Sequence, residues 1–406
     1  MVEQRFYTAK VAGSSPASRT KIKMKKDYQK LSIIAHRKAR GKISVIGKLP
    51  IKNREDLSIA YTPGVAGPAL AIAQNKALAY DLTATKNGVA IVSDGSAVLG
   101  LGNIGPEAAL PIMEGKAVLF KRFANIDGFP IVLSTQDTEK IIAAVKAIAP
   151  TFGGINLEDI SAPRCFEIEA RLKKELSIPV MHDDQHGTAI VVLAGLINAL
   201  KVVKKKKESI RVVVNGAGAA GIAITKLLHH YGVRKILVCD THGIISRKRR
   251  DLTPVKKEIL KITNPGNISG SLFDALKNSD VFIGVSKGNL IKAADVKTMA
   301  KGAIIFAMAN PVPEIMPDEA KRGGAAIIAS GRSDFPNQIN NVLVYPGIFK
   351  GAIESRTTQI TDKMKIAAAI ALAAVVKRPT AEKVIPDIFD KKVVLAVSNA
   401  VKKLAR

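Results

Sequence analysis

The sequence predicts an α/β fold of two domains, the second built on a doubly wound parallel sheet. From Arg211 onward, helical patterns alternate with five apolar runs, which read RVVVNGAG, KILVCDTHG, SDVFIGVSKG, GAIIFAMANP and AAIIASGRSD. Strands that alternate with helices form parallel sheets with right-handed crossovers. Between Ile33 and Pro150, the runs GVAIVSDG and GFPIVLST alternate with helical patterns such as DTEKIIAAVKAIA, which predicts a first α/β domain. A chain of 406 residues is long enough for two such cores.

The composition indicates a folded protein of a reducing compartment. Apolar residues make up 47% of the chain and charged residues 24%. The two cysteines, Cys165 and Cys239, match no metal or disulfide spacing, so we expect both to be buried and the protein to be cytoplasmic. The longest apolar runs fall short of the roughly 20 residues of a membrane span. They predict buried core helices, and no membrane partner is expected.

The net charge of +28 is the one extreme value of the composition. A nucleic-acid site gathers its lysines and arginines on one face, usually with aromatic residues for stacking. Here the lysines are spread along the chain, tryptophan is absent, and the densest run, Lys201–Arg211, separates a helix from a strand. This distribution favours a solvated basic surface and no specific nucleic-acid partner.

The first 23 residues differ from the rest of the chain, since they are basic, rich in serine and nearly free of acids. They resemble either a transit segment or an upstream extension of a chain whose native start is Met24, and we favour the extension. We therefore leave residues 1–23 out of the fold. The predicted domains are 24–187, for substrate and metal, and 188–406, for a nucleotide.

A glycine motif follows the first strand of the second domain and begins a helix. Gly216, Gly218 and Gly221 permit a tight turn, close approach of the backbone to a pyrophosphate and close helix packing. We expect Ala219 and Ala220, within the motif, to line the same site. The next strand ends at Asp240, where a carboxylate accepts hydrogen bonds from ribose hydroxyls.

This motif predicts a Rossmann-type dinucleotide site. Asp240 slightly favours NAD, because it would repel the 2′-phosphate of NADP. The nearby basic cluster 247–250 could offset that repulsion, so NADP stays open.

Two acidic pairs follow probable strand ends, Asp183–Asp184 and Glu158–Asp159. Carboxylates that converge without thiolates suit a hard divalent cation, Mg²⁺ or Mn²⁺. Two alternatives are a simple helix cap and a zinc site formed by His182 and His186. Gly187 indicates that the helix begins only at Thr188, so we do not expect the two histidines to converge.

Seven motifs together resemble the malic enzyme family, in its shorter bacterial branch. In chain order they are DLSIAYTPGVAGPAL, SDGSAVLGLGNIGPEAALPIMEGKAVLFKRFANIDGFPI, PTFGGINLEDISAPRCFEIE, PVMHDDQHGTAIVVLAGLINAL, NGAGAAGIA, FAMANPVPEI and GRSDFPNQINNVLVYPGIFKGA. The resemblance covers residues from about Asp27 to Arg406. It does not extend to the acyltransferase-like C-terminal domain of the longest bacterial members.

The resemblance implies oxidative decarboxylation of L-malate to pyruvate and CO₂, with NAD or NADP, Mg²⁺ or Mn²⁺, and a homodimer or higher homo-oligomer. Residues at the family's motif positions are the metal ligands Glu158, Asp159 and Asp184, the general base Lys116, the general acid Tyr61, the lysine's partner Asp183, the substrate contacts Asn310 and Asn341, and Ser286 and Asn310 beside the cofactor.

The chemistry required agrees with these residue types. A buried lysine beside a divalent cation has a pKa shifted toward neutrality and can accept a proton, whereas Asp183 opposes that shift and orients the amine.

One position departs from the larger family members, because Ala97 stands where they carry an arginine that binds a malate carboxylate. The shorter branch commonly lacks that arginine, and we expect backbone amides and asparagines to replace it. A dehydrogenase of another hydroxy or amino acid on the same fold is the alternative function. A non-catalytic protein that binds dinucleotides or polyanions is a second alternative, which the complete set of catalytic motifs disfavours.

Overall fold

A computed structural model describes residues 27–98 and 100–405. The predicted N-terminal extension and Met24 lie outside the described residues. The described residues divide into two compact units, which meet in sequence between Gly41 and Lys42. The described part of the first unit contains helix α1 (Tyr28–Ala39), whose N-terminus is capped by the Asp27 carboxylate.

The second unit contains the remaining helices and all the strands of the described residues. Its helices are α2 (Arg54–Ala60), α3 (Ala66–Gln74), α4 (Ala79–Leu82), α5 (Pro106–Ala124), α6 (Thr138–Ile148), α7 (Arg164–Glu175), α8 (Asp183–Val203), α9 (Ala219–Tyr231), α10 (Pro254–Ile259), α11 (Leu272–Leu276), α12 (Ala293–Val296), α13 (Pro317–Arg322), α14 (Tyr345–Glu354), α15 (Asp362–Val375) and α16 (Lys392–Leu404). Its strands are β1 (Gly88–Ser93), β2 (Asp127–Val132), β3 (Gly154–Leu157), β4 (Val180–His182), β5 (Arg211–Asn215), β6 (Lys235–Asp240), β7 (Gly243–Ile244), β8 (Val281–Gly284), β9 (Ile304–Ala307) and β10 (Ile327–Ser330).

The first sheet is parallel and has the order β2-β1-β3-β4. Strands β1 and β3 are buried along their whole length, as expected for parallel strands covered on both faces. The carboxyl ends of β3 and β4 lie at the same edge of the sheet, where Leu157 of β3 lies beside His182 of β4. The residues that follow these strands, two acidic pairs, are therefore neighbours in space.

The second sheet has the order β10-β9-β8-β5-β6-β7 and confirms all five predicted strands. Its strands are parallel except β7, a short antiparallel edge strand. The chain leaves β5 for β6 on one side and later returns to β8 on the other, so the strand order reverses between β5 and β8. Asn215 and Gly284 end these two strands side by side. Doubly wound sheets bind their ligands at such a reversal.

Helix α8 corrects the sequence analysis, because it begins at Asp183 rather than at Thr188. Asp183 and Asp184 occupy its first turn, where acidic side chains interact favourably with the helix dipole. Gly187 lies inside the helix and not before it. A side chain there would collide with the Asp183 carboxylate, which explains the glycine without a helix boundary.

The apolar run of α8 is a core helix, as predicted. Among the described residues, α8 alone is long and apolar enough to cross a membrane, and most of it is buried within the fold. Its side chains join a hydrophobic core that includes residues of both sheets, such as Val89 and Ile304. Cys165 and Cys239 are buried and unpaired, and burial raises the pKa of each thiol to about 12.

Candidate functional site

Three predicted metal ligands converge at the carboxyl edge of the first sheet. Glu158 and Asp159 follow β3, and Asp184 follows β4 in the first turn of α8. One carboxylate oxygen of each lies within 4.8 Å of the others. The Asp159 backbone N–H donates to Asp184 Oδ2 at 2.8 Å, which ties the two loops together. Burial and the neighbouring carboxylates raise the pKa of Asp159 to about 9 and that of Asp184 to about 6.

This donor set fits a hard divalent cation. It consists of carboxylate oxygens only, which Mg²⁺ and Mn²⁺ prefer over softer ions. The histidines do not form the alternative zinc site. His186 Nε2 contacts the Glu169 carboxylate at 2.9 Å, and His182 Nε2 lies 3.6 Å from Asp184 Oδ2.

Lys116, the predicted general base, is buried against the cluster. Its Nζ donates to Asp183 Oδ2 at 2.6 Å and forms an ion pair with the Glu158 carboxylate. It also lies 4.5 Å from the centre of the Tyr345 ring. Burial disfavours the ammonium form, but Asp183 and Glu158 outweigh burial and hold the pKa of Lys116 above its ordinary value. The expected shift of this pKa toward neutrality also requires the cation, so it stays a prediction.

Asn341 and Asn310, the predicted substrate contacts, both line the same cleft. Asn341 Nδ2 donates to Asp183 Oδ2 at 2.6 Å, so the same carboxylate oxygen accepts from both Lys116 and Asn341. Asn310 follows β9 and lines the cleft. Ala97 also lines the cleft, and its backbone N–H donates to the Asp159 carbonyl oxygen.

The glycine motif forms the predicted turn between β5 and α9. Gly216 has a φ of +119°, and a side chain there would meet the Val285 carbonyl oxygen at 2.7 Å, so the position requires glycine. Helix α9 begins at Ala219 without a side-chain cap, which leaves its first N–H groups available for an anion.

Asp240 ends β6, but its carboxylate is engaged by two cations. Arg249 donates to both oxygens, at 2.7 and 2.9 Å, and Lys256 Nζ donates to Oδ2 at 2.6 Å. Burial opposes ionisation, yet these hydrogen bonds outweigh it and lower the pKa of Asp240 to about 2. Arg249, from the basic cluster, is thus paired with Asp240, and its side chain is only 13% exposed.

One cleft of about 400 Å³ is lined by Asp184, of the acidic cluster, and by the nucleotide turn. Predicted residues that line it are Asp184, Gly218, Ala219, Ala220, Ser286, Asn310 and Asn341. Ser286 follows β8, and its hydroxyl accepts a hydrogen bond from Asn215 Nδ2 at 2.8 Å. The cleft therefore lies along the carboxyl edges of β4, β5, β8 and β9.

Tyr61, the predicted general acid, is not part of this arrangement in the described chain. It follows α2, the residue is 65% exposed, and no hydrogen bond of the described residues involves its hydroxyl. The tyrosine beside Lys116 is Tyr345, which is buried with an unpartnered hydroxyl and packs on Phe120. Burial raises the pKa of Tyr345 above its ordinary value.

Several residues that hold the site are absent from the set predicted from the sequence. Asn156 Nδ2 donates to Glu158 Oε2 at 3.0 Å, and Glu169 contacts the turn that contains Asp183 and Asp184. Glu169 had a detectable signal, since it falls on the apolar stripe of α7 together with Cys165, Ile168 and Leu172. A carboxylate in such a stripe requires a buried partner.

The fold and the cleft define a dinucleotide-dependent oxidoreductase with an acidic cluster beside the nucleotide turn. Residues 40–173 match the family model for the malic enzyme N-terminal domain, and residues 185–406 match that for the malic enzyme NAD-binding domain. The chain belongs to the malic enzyme family.

Relatives and solved structures agree with this assignment. The chain is 57% identical over 373 residues to the bifunctional malic/malolactic enzyme of Bacillus subtilis, covering 91% of each chain. It is 58% identical over 367 residues to the NAD-dependent malic enzyme of Geobacillus stearothermophilus, covering 90% of this chain and 77% of the relative. The NAD-dependent malic enzyme of Thermotoga maritima superposes with a TM-score of 0.89 at 52% identity, covering 91% of this chain and 98% of the other.

Proposed function

We propose that the protein catalyses the oxidative decarboxylation of L-malate to pyruvate and CO₂, with transfer of hydride to a nicotinamide cofactor. The observation that carries this proposal is the single cleft in which Asp184, of the acidic cluster, faces the nucleotide turn at Gly218–Ala220. Hydride transfer requires the carbinol carbon to lie against the nicotinamide, and decarboxylation requires an electrophile at its oxygen. Asp184 and the nucleotide turn line one cavity, which supports this proposal.

Two groups bind from solution. When bound, a divalent cation held by Glu158, Asp159 and Asp184 supplies Lewis acidity at the substrate oxygens, and the nicotinamide accepts the hydride. We propose Mg²⁺ or Mn²⁺ for the cation and NAD ahead of NADP for the cofactor. Asp240 supports NAD, and the Geobacillus stearothermophilus and Thermotoga maritima relatives are named as NAD-dependent.

The residues of the chain hold and move the proton. Lys116 is the group placed to exchange a proton with the C2 hydroxyl of malate, since its Nζ is buried beside the ligand carboxylates. Asp183 positions that amine and is itself positioned by Asn341. Apolar side chains of the cleft, among them Ile160, Val191 and Ile339, exclude water from the reacting carbons.

A substrate panel distinguishes this function from that of another hydroxy-acid dehydrogenase. L-malate, D-malate, L-lactate and 2-hydroxyglutarate are supplied at equal concentration with NAD and Mn²⁺, and reduced cofactor is followed. We expect L-malate to be strongly preferred; preference for a monocarboxylate would reject the proposal. Lactate is assayed as a product as well, because the Bacillus subtilis relative is named a malic/malolactic enzyme.

We further propose that the protein is a homodimer in which Tyr61 serves the partner's site. Support comes from residues 43–70, which we call the exposed arm. Its apolar side chains lie in solvent, with Val45 98% and Ile46 81% exposed. Large apolar patches of this kind mark interfaces. Tyr61 lies on the same arm, so a second copy that covers the arm can bring its Lys116 to the Tyr61 hydroxyl.

Mixing two inactive variants tests this arrangement. Tyr61→Phe and Lys116→Ala are denatured together, refolded, and compared with each variant alone. In a dimer with shared sites, random pairing restores about a quarter of wild-type activity, since half the dimers are mixed and each has one intact site. A mixture of Lys116→Ala with Asp183→Asn is the control and stays inactive. No recovery in the first mixture would place both residues in one chain, and full activity of Tyr61→Phe alone would favour Tyr345 as the acid.

A further inference from the structure

Glu169 is a buried carboxylate that the reaction does not use directly. It lies on the apolar stripe of α7, between Ile168 and Leu172, and only 5% of the residue is exposed. A carboxylate at a core-facing position carries a large desolvation cost unless its oxygens are hydrogen-bonded and its charge is paired. The contacts of Glu169 therefore show which groups compensate this cost.

Both oxygens of Glu169 are engaged by the turn that begins α8. Oε1 accepts from the His182 backbone N–H at 3.1 Å, and Oε2 accepts from His186 Nε2 at 2.9 Å and from Gln185 Nε2 at 3.4 Å. Lys173, one turn along α7, pairs with Oε1 at 2.8 Å. The three α8 contacts come from residues immediately before and after the Asp183–Asp184 pair.

Helix α8 has no side-chain cap of its own. His182 occupies the N-cap position and makes no capping hydrogen bond with its side chain. Glu169, from a different helix, binds the N-cap N–H instead and also holds the first turn through His186. The start of α8 determines where Asp184 points, and Asp184 must meet Glu158 and Asp159 to complete the cluster.

We propose that Glu169 is a positioning residue that sets the geometry of the metal-ligating turn. This inference rests on the metal site of the proposed function. Within the described residues, Glu169 makes no hydrogen bond or ion pair with the three ligand carboxylates. Its effect on cation affinity is therefore indirect and acts through the first turn of α8. Residues that orient metal ligands in this way change metal affinity by about 10- to 100-fold when they are altered.

Mn²⁺ binding without turnover tests the role. The full-length protein is titrated with Mn²⁺ in the absence of malate and cofactor, and free Mn²⁺ is measured by electron paramagnetic resonance. Glu169→Gln retains an acceptor for the His182 N–H, whereas Glu169→Ala retains none. We expect affinity to fall in the order wild type, Gln, Ala, with a loss of about 10- to 100-fold in the Ala variant.

Two controls separate positioning from general stability. Glu167→Gln changes an exposed carboxylate on the same helix and should leave the Mn²⁺ affinity unchanged. Thermal unfolding in EDTA reports the metal-free fold of each variant. Glu169→Gln should also raise the Mn²⁺ concentration needed for half-maximal activity while largely retaining kcat at saturating Mn²⁺.

The outcomes are distinct. Weakened Mn²⁺ binding in Glu169→Gln with normal binding in Glu167→Gln supports the inference, even if Glu169→Ala fails to fold. Equal Mn²⁺ affinity of wild type and Glu169→Gln, with a lower unfolding temperature in EDTA, would reduce Glu169 to a structural role. Failure of the wild type itself to bind Mn²⁺ would overturn the metal site and the inference with it.

Discussion

Lys116 Nζ and Asp183 Oδ2 lie 2.6 Å apart, on helices α5 and α8, with side chains only 7% and 0% exposed. The pair joins the helix that follows β1 to the helix that begins at the metal-ligating turn. A buried pair of this kind is costly to break, because the remaining charge is left without a partner. Its position beside Glu158 connects the proton-transfer group to the acidic cluster.

Replacement of Lys116 tests its role in proton transfer. Lys116→Ala should lower the rate of malate oxidation by about 10²- to 10⁴-fold, because it removes the group placed to accept the hydroxyl proton. The dissociation constant for NAD, measured by fluorescence titration, should change little, since Lys116 does not line the nucleotide turn. Lys121→Ala, on the exposed side of the same helix, is the control and should retain activity. A Lys116→Ala enzyme with a normal rate would contradict the assignment.

Asp184 is expected to bind the cation directly. Asp184→Asn removes one anionic ligand and should raise the Mn²⁺ concentration for half-maximal activity at least about tenfold. Asp137→Asn is a matched control, because Asp137 caps α6 at the surface and asparagine caps equally well. An unchanged Mn²⁺ requirement in Asp184→Asn would remove this residue from the ligand set.

Asp240 is expected to control the choice of cofactor. Asp240→Ala should raise KM for NAD about tenfold, as expected for the loss of a hydrogen bond to a charged group. KM for NADP should change less, since Lys256 and Arg249 lose their contacts with Asp240 and can bind a 2′-phosphate. Asp251→Ala releases Arg249 from its other partner and serves as the control. A larger loss for NADP than for NAD would show that the cations, and not Asp240, determine preference.

Asp127 predicts a pH-dependent contribution to stability. Burial opposes its ionisation, but hydrogen bonds from Lys121, Lys48 and Asn87 outweigh burial and lower its pKa to about 2. A lowered pKa in the folded state means that the stabilisation is complete above the unfolded pKa of about 4 and is lost as the pH falls toward 2.

Urea unfolding of Asp127→Asn measures this contribution. The variant should be less stable than wild type by about 1 kcal/mol at pH 7, since its lysine partners are largely exposed. The difference should vanish as the pH is lowered from 4 to 2. A difference that stays constant over this range would indicate a packing effect.

Much of the fold could be predicted because its signals are local. The runs that became β5, β6, β8, β9 and β10 are short, apolar and separated by helical patterns, and each run forms its strand in the second sheet. The glycine motif also carries its own geometry, since the φ of Gly216 excludes other residues. The two acidic pairs could be placed together because both follow parallel neighbouring strands.

The remaining features depend on contacts between distant parts of the chain. Gly187 suggested a helix start at Thr188, but α8 starts at Asp183, next to a His182 N–H that donates to Glu169 on another helix. The engagement of Asp240 by Lys256 depends on how α10 packs. The exposure of Tyr61 could not be predicted locally. The exposed arm is rich in apolar residues, which predicts a buried segment, but these residues are exposed in the structure.

The stoichiometry of products from L-malate tests the proposed oxidative decarboxylation most directly. The enzyme is incubated with L-malate and NAD, with Mn²⁺ or with EDTA, and reduced cofactor, pyruvate and oxaloacetate are measured in the same sample. We expect equimolar NADH and pyruvate with Mn²⁺ and loss of both with EDTA. Accumulation of oxaloacetate without pyruvate, or turnover that EDTA leaves unchanged, would contradict the proposal.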